Sequence, residues 1–452
     1  MNLMSLNVMS LTNLEAQFNQ LSDLLIAKLA SDEHLSLELS GEQSQFIRFN
    51  RARVRQVGTV ADANLTLRLI CQDRTAYASL PFTGELEADL TQGLTQLAFL
   101  RQEVRQLPVD PYIVLPENKG SSREVYTGEL LPAEQAVGVI LAAVTDLDFT
   151  GIYAAGTQVR ANSNSAGQRH WFATESFFLD YSLIAPSEKA VKATLAGRQW
   201  QPEQYQTQIQ QAKAQLARLD QPVHQVKPGQ YRTYFAPAAT AELMTMLSWG
   251  AISEASLRQG GSALAKLREG ELLSPLFNLR ESFSQGSTPR FNELGEVAPI
   301  ELPLITAGEL THTLVSSRTA KEYGLVSNGA SAWEGQRAAE LLPGKLAASD
   351  ILQQLDTGLY LSNLHYLNWS DLTGGRVTGM TRYACFWVEQ GEIVAPIQDL
   401  RFDDSLYRFW GSQLLALTDF QEMIPEIGTY DQRALGGMLA PGMLVQDFTF
   451  TL

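Results

Sequence analysis

The stretch TGGRVTGMTRYACFWVEQGEIVAPIQDLRF (373–402) decides how the C-terminal half reads. Apolar and polar residues alternate through it, aromatic and β-branched residues recur, and Gly391 interrupts the run between Glu389 and Glu392. This is the pattern of strands joined by a tight turn. Cys385 falls in YACFWVE, an apolar strand leading into Glu389, where a buried, inert thiol is the default. A nucleophilic cysteine would need a histidine and positive charge nearby. Arg382 is three residues away and, on an alternating strand, would point to the opposite face.

Working outward, DQPVHQVKPGQYRTY (220–234) carries two prolines and a glycine and is the best boundary in the chain. It divides an N-terminal α/β domain, 1–220, from a β-rich C-terminal domain, 221–452. Upstream, Leu14, Phe18, Leu21, Leu24, Leu25 and Leu29 recur at helical spacing over 13–30. Alternating segments 34–40, 44–58, 63–71 and 75–80 predict strands, and 85–106 predicts a second helix. Residues 111–120 read as a loop and 132–145 as a helix. Strands at 151–163 and 169–184 are joined by an NSAG turn (164–167), where Asn and Gly supply the backbone freedom of a hairpin. Residues 186–220 read as a solvated, Gln-rich helix. Beyond the boundary, helices are expected at 238–249 and 252–268, then an irregular stretch at 270–305. The fold class is α+β: an N-terminal α/β domain with a mixed or antiparallel sheet, and a C-terminal sandwich- or barrel-like domain.

Composition excludes several functions. With 452 residues the chain is too long for one ordinary core. A hydrophobic fraction of 45% and a charged fraction of 18% are globular, not disordered. A net charge of -15 repels phosphate backbones, and no Lys/Arg run stands out, so no nucleic-acid partner is expected. Two cysteines, Cys71 and Cys385, can build neither a disulfide framework nor a structural zinc site, which suits a reducing, cytoplasmic setting. The first residues lack a basic n-region and a continuous apolar run, so no signal peptide is expected. No segment reaches the roughly 18 apolar residues of a membrane span.

Four ordered motifs resemble the TldD/PmbA peptidase family. They are RANSNSAGQ (160–168), ITAGELTHTLVSSRTAKEYGLVSNGAS (305–331), LLPGKLAASDILQQLDTGLYLSNL (341–364), and the pair ending in Glu389, Gly391, Glu392, Ile393 and Pro396. Each is mostly turn chemistry; their order gives the resemblance its specificity. It implies a dimer enclosing a chamber. It also implies that active members are zinc peptidases acting on unfolded peptides, with a helix-borne His-Glu-x-x-x-His motif and a cysteine near the C-terminus. The family's link to DNA gyrase gains nothing from this composition.

A zinc peptidase needs about three protein ligands and an open position for water. The corresponding helix should follow Pro237. It reads AATAELMTMLSWGAISEASLRQGG (238–261), with Glu242 and Glu254 but no histidine. The five histidines, His34, His170, His224, His312 and His365, are scattered, and no two lie within five residues. The cysteine should fall near 431–445, DQRALGGMLAPGMLV, which holds none. No catalytic residue and no cofactor is therefore assigned. His312, His365 and Cys385 are the fallback for a dispersed metal site, each more simply read as an ordinary partly buried residue.

By the resemblance, LHYLNWSDLTGG (364–375) lies beside the segment that borders the family's cleft. His365, Tyr366, Trp369 and Arg382 are the peptide-contact candidates, with a structural aromatic corner as the competing reading. Asp403 and Asp404 have neither EF-hand nor facing-dyad spacing and read as a solvated turn. GGSALAKLREG (260–270) lacks a P-loop pattern, and Ser262 reads as an N-cap. The leading reading is a non-catalytic, PmbA-like subunit that pairs with a TldD-type zinc peptidase and completes a chamber for peptides. The alternatives are a stand-alone homodimeric peptide-binding protein and a peptidase with relocated chemistry.

Overall fold

The computed structural model describes residues 11–451. Its first half is helix α1 (Leu11–Ile26), strands β1 (Glu33–Asn50), β2 (Arg53–Cys71) and β3 (Arg74–Pro81), helix α2 (Leu86–Glu103), strand β4 (Ser122–Tyr126) and helix α3 (Ala133–Ala142). Strands β5 (Asp148–Asn164), β6 (Arg169–Ile184) and β7 (Ala190–Gly197) and helix α4 (Pro202–Leu219) follow. The strands form one sheet in the order β3-β2-β1-β5-β6-β4, with β7 also on β6. All pairs are antiparallel except β4–β6.

Leucine alternation builds this sheet's first face. Leu35, Leu37 and Leu39 lie opposite Leu69, Leu67 and Leu65, and all six are buried. Phe18, Leu21 and Leu25 of α1, and Leu97 and Leu100 of α2, cover them. Each buried leucine is worth about 1.5–3 kcal/mol. The opposite face carries Phe149, Tyr153, Phe177, Leu179 and Leu183 under α3 and α4. Ala384 and Phe386 of the C-terminal half join that same cluster, so the two halves share apolar contact.

The second half begins with β8 (Gly229–Phe235) and α5 (Pro237–Ser248), then β9 (Leu279–Ser282), β10 (Glu301–Thr306), β11 (Glu309–Leu310) and β12 (Ala339–Leu341). It continues with β13 (Gly358–Leu361), β14 (Asn363–Asp371), β15 (Arg376–Arg382), β16 (Phe386–Glu389), β17 (Glu392–Pro396), β18 (Arg401–Ser405), β19 (Leu414–Pro425) and β20 (Gly437–Phe450). These form a second sheet in which β20 is the hub, pairing with β8, β12, β18 and β19. Among the described residues no helix is long and apolar enough to cross a membrane.

The fold is α+β, as expected, but several local expectations fail for physical reasons. Segment 44–58 is not one strand: it turns at Arg51–Ala52, which take left-handed φ values of 52° and 50° without a glycine or asparagine to signal it. Residues 190–197 are strand β7, paired along β6, and only Pro202–Leu219 is helical. The helix expected at 252–268 is two short pieces, Glu254–Arg258 and Ala265–Arg268, separated at Gly260 and Gly261. Ser262 does not cap the second piece; its hydroxyl accepts from Leu264 N. The stretch 270–305 contains β9 and β10. Asp404 is buried and accepts from Arg408 and Thr449 N, and Asp403 pairs with Arg376, so neither lies in a solvated turn.

Candidate functional site

Helix α5 begins with Pro237 in its first turn, where a missing N–H costs nothing. Ala239, Leu243, Met244, Met246 and Leu247 face the core. The open face is a stripe at helical spacing: Ala238, Glu242, Thr245 and, just past the end, Trp249. It offers a methyl, a carboxylate, a hydroxyl and an indole, with no imidazole. Glu242 has an exposed side chain, yet desolvation raises its pKa, with further contribution from the Glu426 carboxylate and opposition from Lys192. Glu422, also exposed and on β19, is raised by desolvation too.

A cleft of about 230 Å³ runs between β5, β6 and β7 on one side and residues 423–436 on the other. Phe177, Phe178, Met423 and Leu435 supply apolar wall, and Gln158, Thr174 and Ser176 supply polar groups. Arg433, only 2% exposed, closes its floor. Its Nη1 donates to Ser176 O at 3.0 Å, and its Nη2 donates to Gln158 Oε1 at 2.7 Å and Ser176 Oγ at 2.5 Å. Its backbone N–H donates to Glu42 Oε1 at 3.3 Å. Burial pulls the guanidinium down to about 10, with Glu42 the main charge opposing it. Arg433 lies in the segment where the resemblance places a cysteine, and here it ties that segment to the N-terminal sheet.

These residues do not fit a catalytic zinc ion. Zinc takes imidazole, thiolate or carboxylate donors from about three side chains. The stripe on α5 offers one carboxylate and the 431–445 segment offers only the side chain of Asp431. Among the described residues no group of three or more His, Cys, Asp or Glu is placed to hold a metal ion.

The fallback residues do not converge. His312 is exposed, with Nδ1 2.8 Å from Pro303 O. The His365 ring lies against Tyr366, with centroids 3.8 Å apart and the planes tilted by 42°. Cys385 is buried in the turn between β15 and β16, not inside a strand, and its thiol donates to Arg382 O at 3.2 Å. Burial pushes that thiol up to about 11, away from nucleophilic range. The cleft candidates are divided. Asn363 and His365 lie opposite Arg382 and Met380, so His365 and Arg382 share one face of the β14–β15 pair. A register shift follows His365, and Trp369 then lies opposite the buried Val377. Trp369 packs on the core, and its indole N–H donates to Trp249 O at 2.8 Å, tying β14 to the end of α5. Tyr366 is exposed at a left-handed φ of 53°. The sequence pointed to none of Arg433, Gln158, Ser176 or Lys192; the only signal was the Arg within DQRALGG.

Residues 228–452 match the model of the PmbA/TldA metallopeptidase C-terminal domain. The chain belongs to the TldD/PmbA family. It is 28% identical over 142 residues to the metalloprotease PmbA of Escherichia coli O157:H7, a match covering 31% of this chain and 29% of that relative's length. The fold is similar to TldE of Thermococcus kodakarensis, with TM-score 0.75 and 16% identity, covering 97% of this chain and 100% of the other. A Thermotoga maritima protein described as a candidate modulator of DNA gyrase gives TM-score 0.76 and 16% identity, over 97% and 100% of the two chains. A Bacteroides thetaiotaomicron protein described likewise gives 0.76 and 14%, over 97% and 98%.

Proposed function

We propose that this chain is a non-catalytic subunit of its family, pairing with a zinc-bearing TldD-type peptidase and lending walls to a chamber that holds unfolded peptide. The observation that carries this reading is the open stripe of α5, where Ala238, Glu242, Thr245 and Trp249 stand in place of a metal-binding His-Glu-x-x-x-His. The 431–445 segment adds to it, because the buried Arg433 does structural work there and no thiolate is present. The open face of α5 and the cleft between β5–β7 and residues 423–436 would contribute chamber wall. Their backbone and apolar surfaces suit an extended peptide, and their carboxylates suit its cationic groups. Two free cysteines, one of them buried, suit a cytoplasmic setting.

The chain's own residues supply binding and orientation in this account, and the partner supplies the metal chemistry. The test mixes purified chain with a TldD-type protein and follows both co-elution and cleavage of an unfolded substrate. Co-elution with cleavage only in the mixture is expected. Cleavage by this chain alone would overturn the reading and favour relocated chemistry. A homodimer that ignores the TldD-type protein would overturn it in favour of a stand-alone binder.

A further inference from the structure

The tip of the β1–β2 hairpin is charged against the grain of the molecule. In a chain of net charge -15, the segment FIRFNRARVRQV (46–57) holds Arg48, Arg51, Arg53 and Arg55, with no acidic residue between Glu42 and Asp62. The sequence offered no uninterrupted basic run, but the hairpin gathers these four arginines around one turn. Among the described residues none of them makes an ion pair or a side-chain hydrogen bond.

The backbone beside them is also unpartnered. β2 pairs with β1 from Arg53 to Cys71, but β3 covers only Asn64–Cys71 of its outer side. The outer edge of Arg53–Ala63 therefore has no neighbouring strand among the described residues. Both of its faces meet solvent, and Val54 and Val57 are 40% and 62% exposed. Such an edge is a template for another strand, and proteins leave one open only when it is guarded or used.

The turn carries a third observation. A two-residue hairpin turn with positive φ at both positions favours Asn and Gly, yet Arg51 and Ala52 occupy it. Ala52 N donates to Phe149 O at 2.9 Å, which fixes the hairpin against β5. Backbone strain of this kind concentrates where a surface is held for use.

We propose that the outer edge of Arg53–Ala63 receives an extended, acidic segment of another protein, which adds to the sheet as a strand. The register skips Arg55 as a bulge, so Arg53 and Gln56 share the face of Asn50 and Arg48, while Val54 and Val57 share the face of Phe49 and Ile47. The incoming strand therefore carries carboxylates on the face that meets Arg48 and Arg53 and apolar or β-branched residues on the face that meets Val54 and Val57. The arginines repel basic strands and select acidic ones, while the backbone supplies the affinity. A nucleic acid fits less well: it would leave the exposed valines and the backbone donors and acceptors of the edge unused. The edge lies at the opposite side of the sheet from β7, so this assignment stands whether or not the chain is a non-catalytic subunit.

The test uses the full chain and a labelled peptide of about ten residues repeating Glu-Val-Glu-Thr, read by fluorescence anisotropy. A control peptide replaces each Glu with Lys. Expected are binding of the acidic peptide only, weakening as salt rises, and a loss of about tenfold in R53E/R55E. The thermal midpoint of that variant should match the parent, because both side chains are exposed. Equal binding of both peptides, or no effect of the double reversal, would overturn the proposal. Tighter binding of a DNA duplex than of the acidic peptide would overturn it as well. A self-associated chain that dissociates on reversal would place a second copy on the edge and overturn the assignment of a separate partner. Val57→Asp is the second variant: it keeps the edge backbone and should weaken the acidic peptide, and unchanged binding would count against the edge.

Discussion

Arg433→Ala should loosen the segment that crosses the cleft. Truncation removes three side-chain hydrogen bonds, to Ser176 O, Gln158 Oε1 and Ser176 Oγ, and leaves those acceptors in a buried site. Bonds to a charged donor are worth about 1.5–3 kcal/mol each, but truncation also relieves the cost of burying the charge. No carboxylate forms a salt bridge with this guanidinium among the described residues, so that relief is substantial. The balance is a net loss of about 2–4 kcal/mol. Arg433→Met keeps most of the volume and gives up the charge, and should cost only about 1–2 kcal/mol. Urea unfolding reports the total, and hydrogen exchange over 426–436 reports the local part, which matters because a two-layer chain need not unfold in one step. A loss under about 0.5 kcal/mol for Arg433→Ala, with unchanged exchange, would refute the idea that this residue ties the segment down.

Acid should open the contact between His170 and the loop at 291–296. His170 is buried against Phe291, its Nδ1 is 2.8 Å from Ser122 Oγ, and desolvation lowers its pKa. Because the unfolded state then binds the extra proton more readily, stability is full above the unfolded histidine value of about 6.5 and falls as pH drops through it. Hydrogen exchange over 291–296 should accelerate below that pH, and His170→Gln should flatten the response; an unchanged pH profile in the variant would assign the effect elsewhere. Ala52→Gly should raise stability by up to about 1–2 kcal/mol, read by the unfolding midpoint, because Ala52 pays for a left-handed backbone that glycine adopts freely. Destabilisation would show that the alanine methyl packs usefully.

What the sequence revealed follows from what writes a pattern into it. Leucine alternation at 35–39 and 65–69, and the Asn164–Gly167 turn, are local and were legible. The Asn164 carboxamide oxygen accepts from Ala166 N and Gln168 N, as a turn-forming Asn should. The Arg51–Ala52 turn was not legible, because its residues carry no turn preference and the contact to Phe149 comes from a distant strand. Strand β7 was hidden in a Lys- and Ala-rich segment whose pairing with β6 overrides its helical propensity. The absence of histidine from 238–261 and of cysteine from 431–445 is legible, because it is a matter of residue identity. Arg433 was not, because its partners Gln158 and Ser176 lie more than 250 residues away. The aromatic corner at Trp369 was foreseen as one of two readings, but the register shift that turns it toward the core is invisible in LHYLNWSDL.

The most direct test of the central claim is the zinc content of the isolated, full-length chain after mild dialysis, with and without a TldD-type partner. The account predicts no stoichiometric zinc in the chain alone, with zinc appearing only in the mixture. About one zinc per isolated chain would contradict it and return attention to His312, His365 and Cys385.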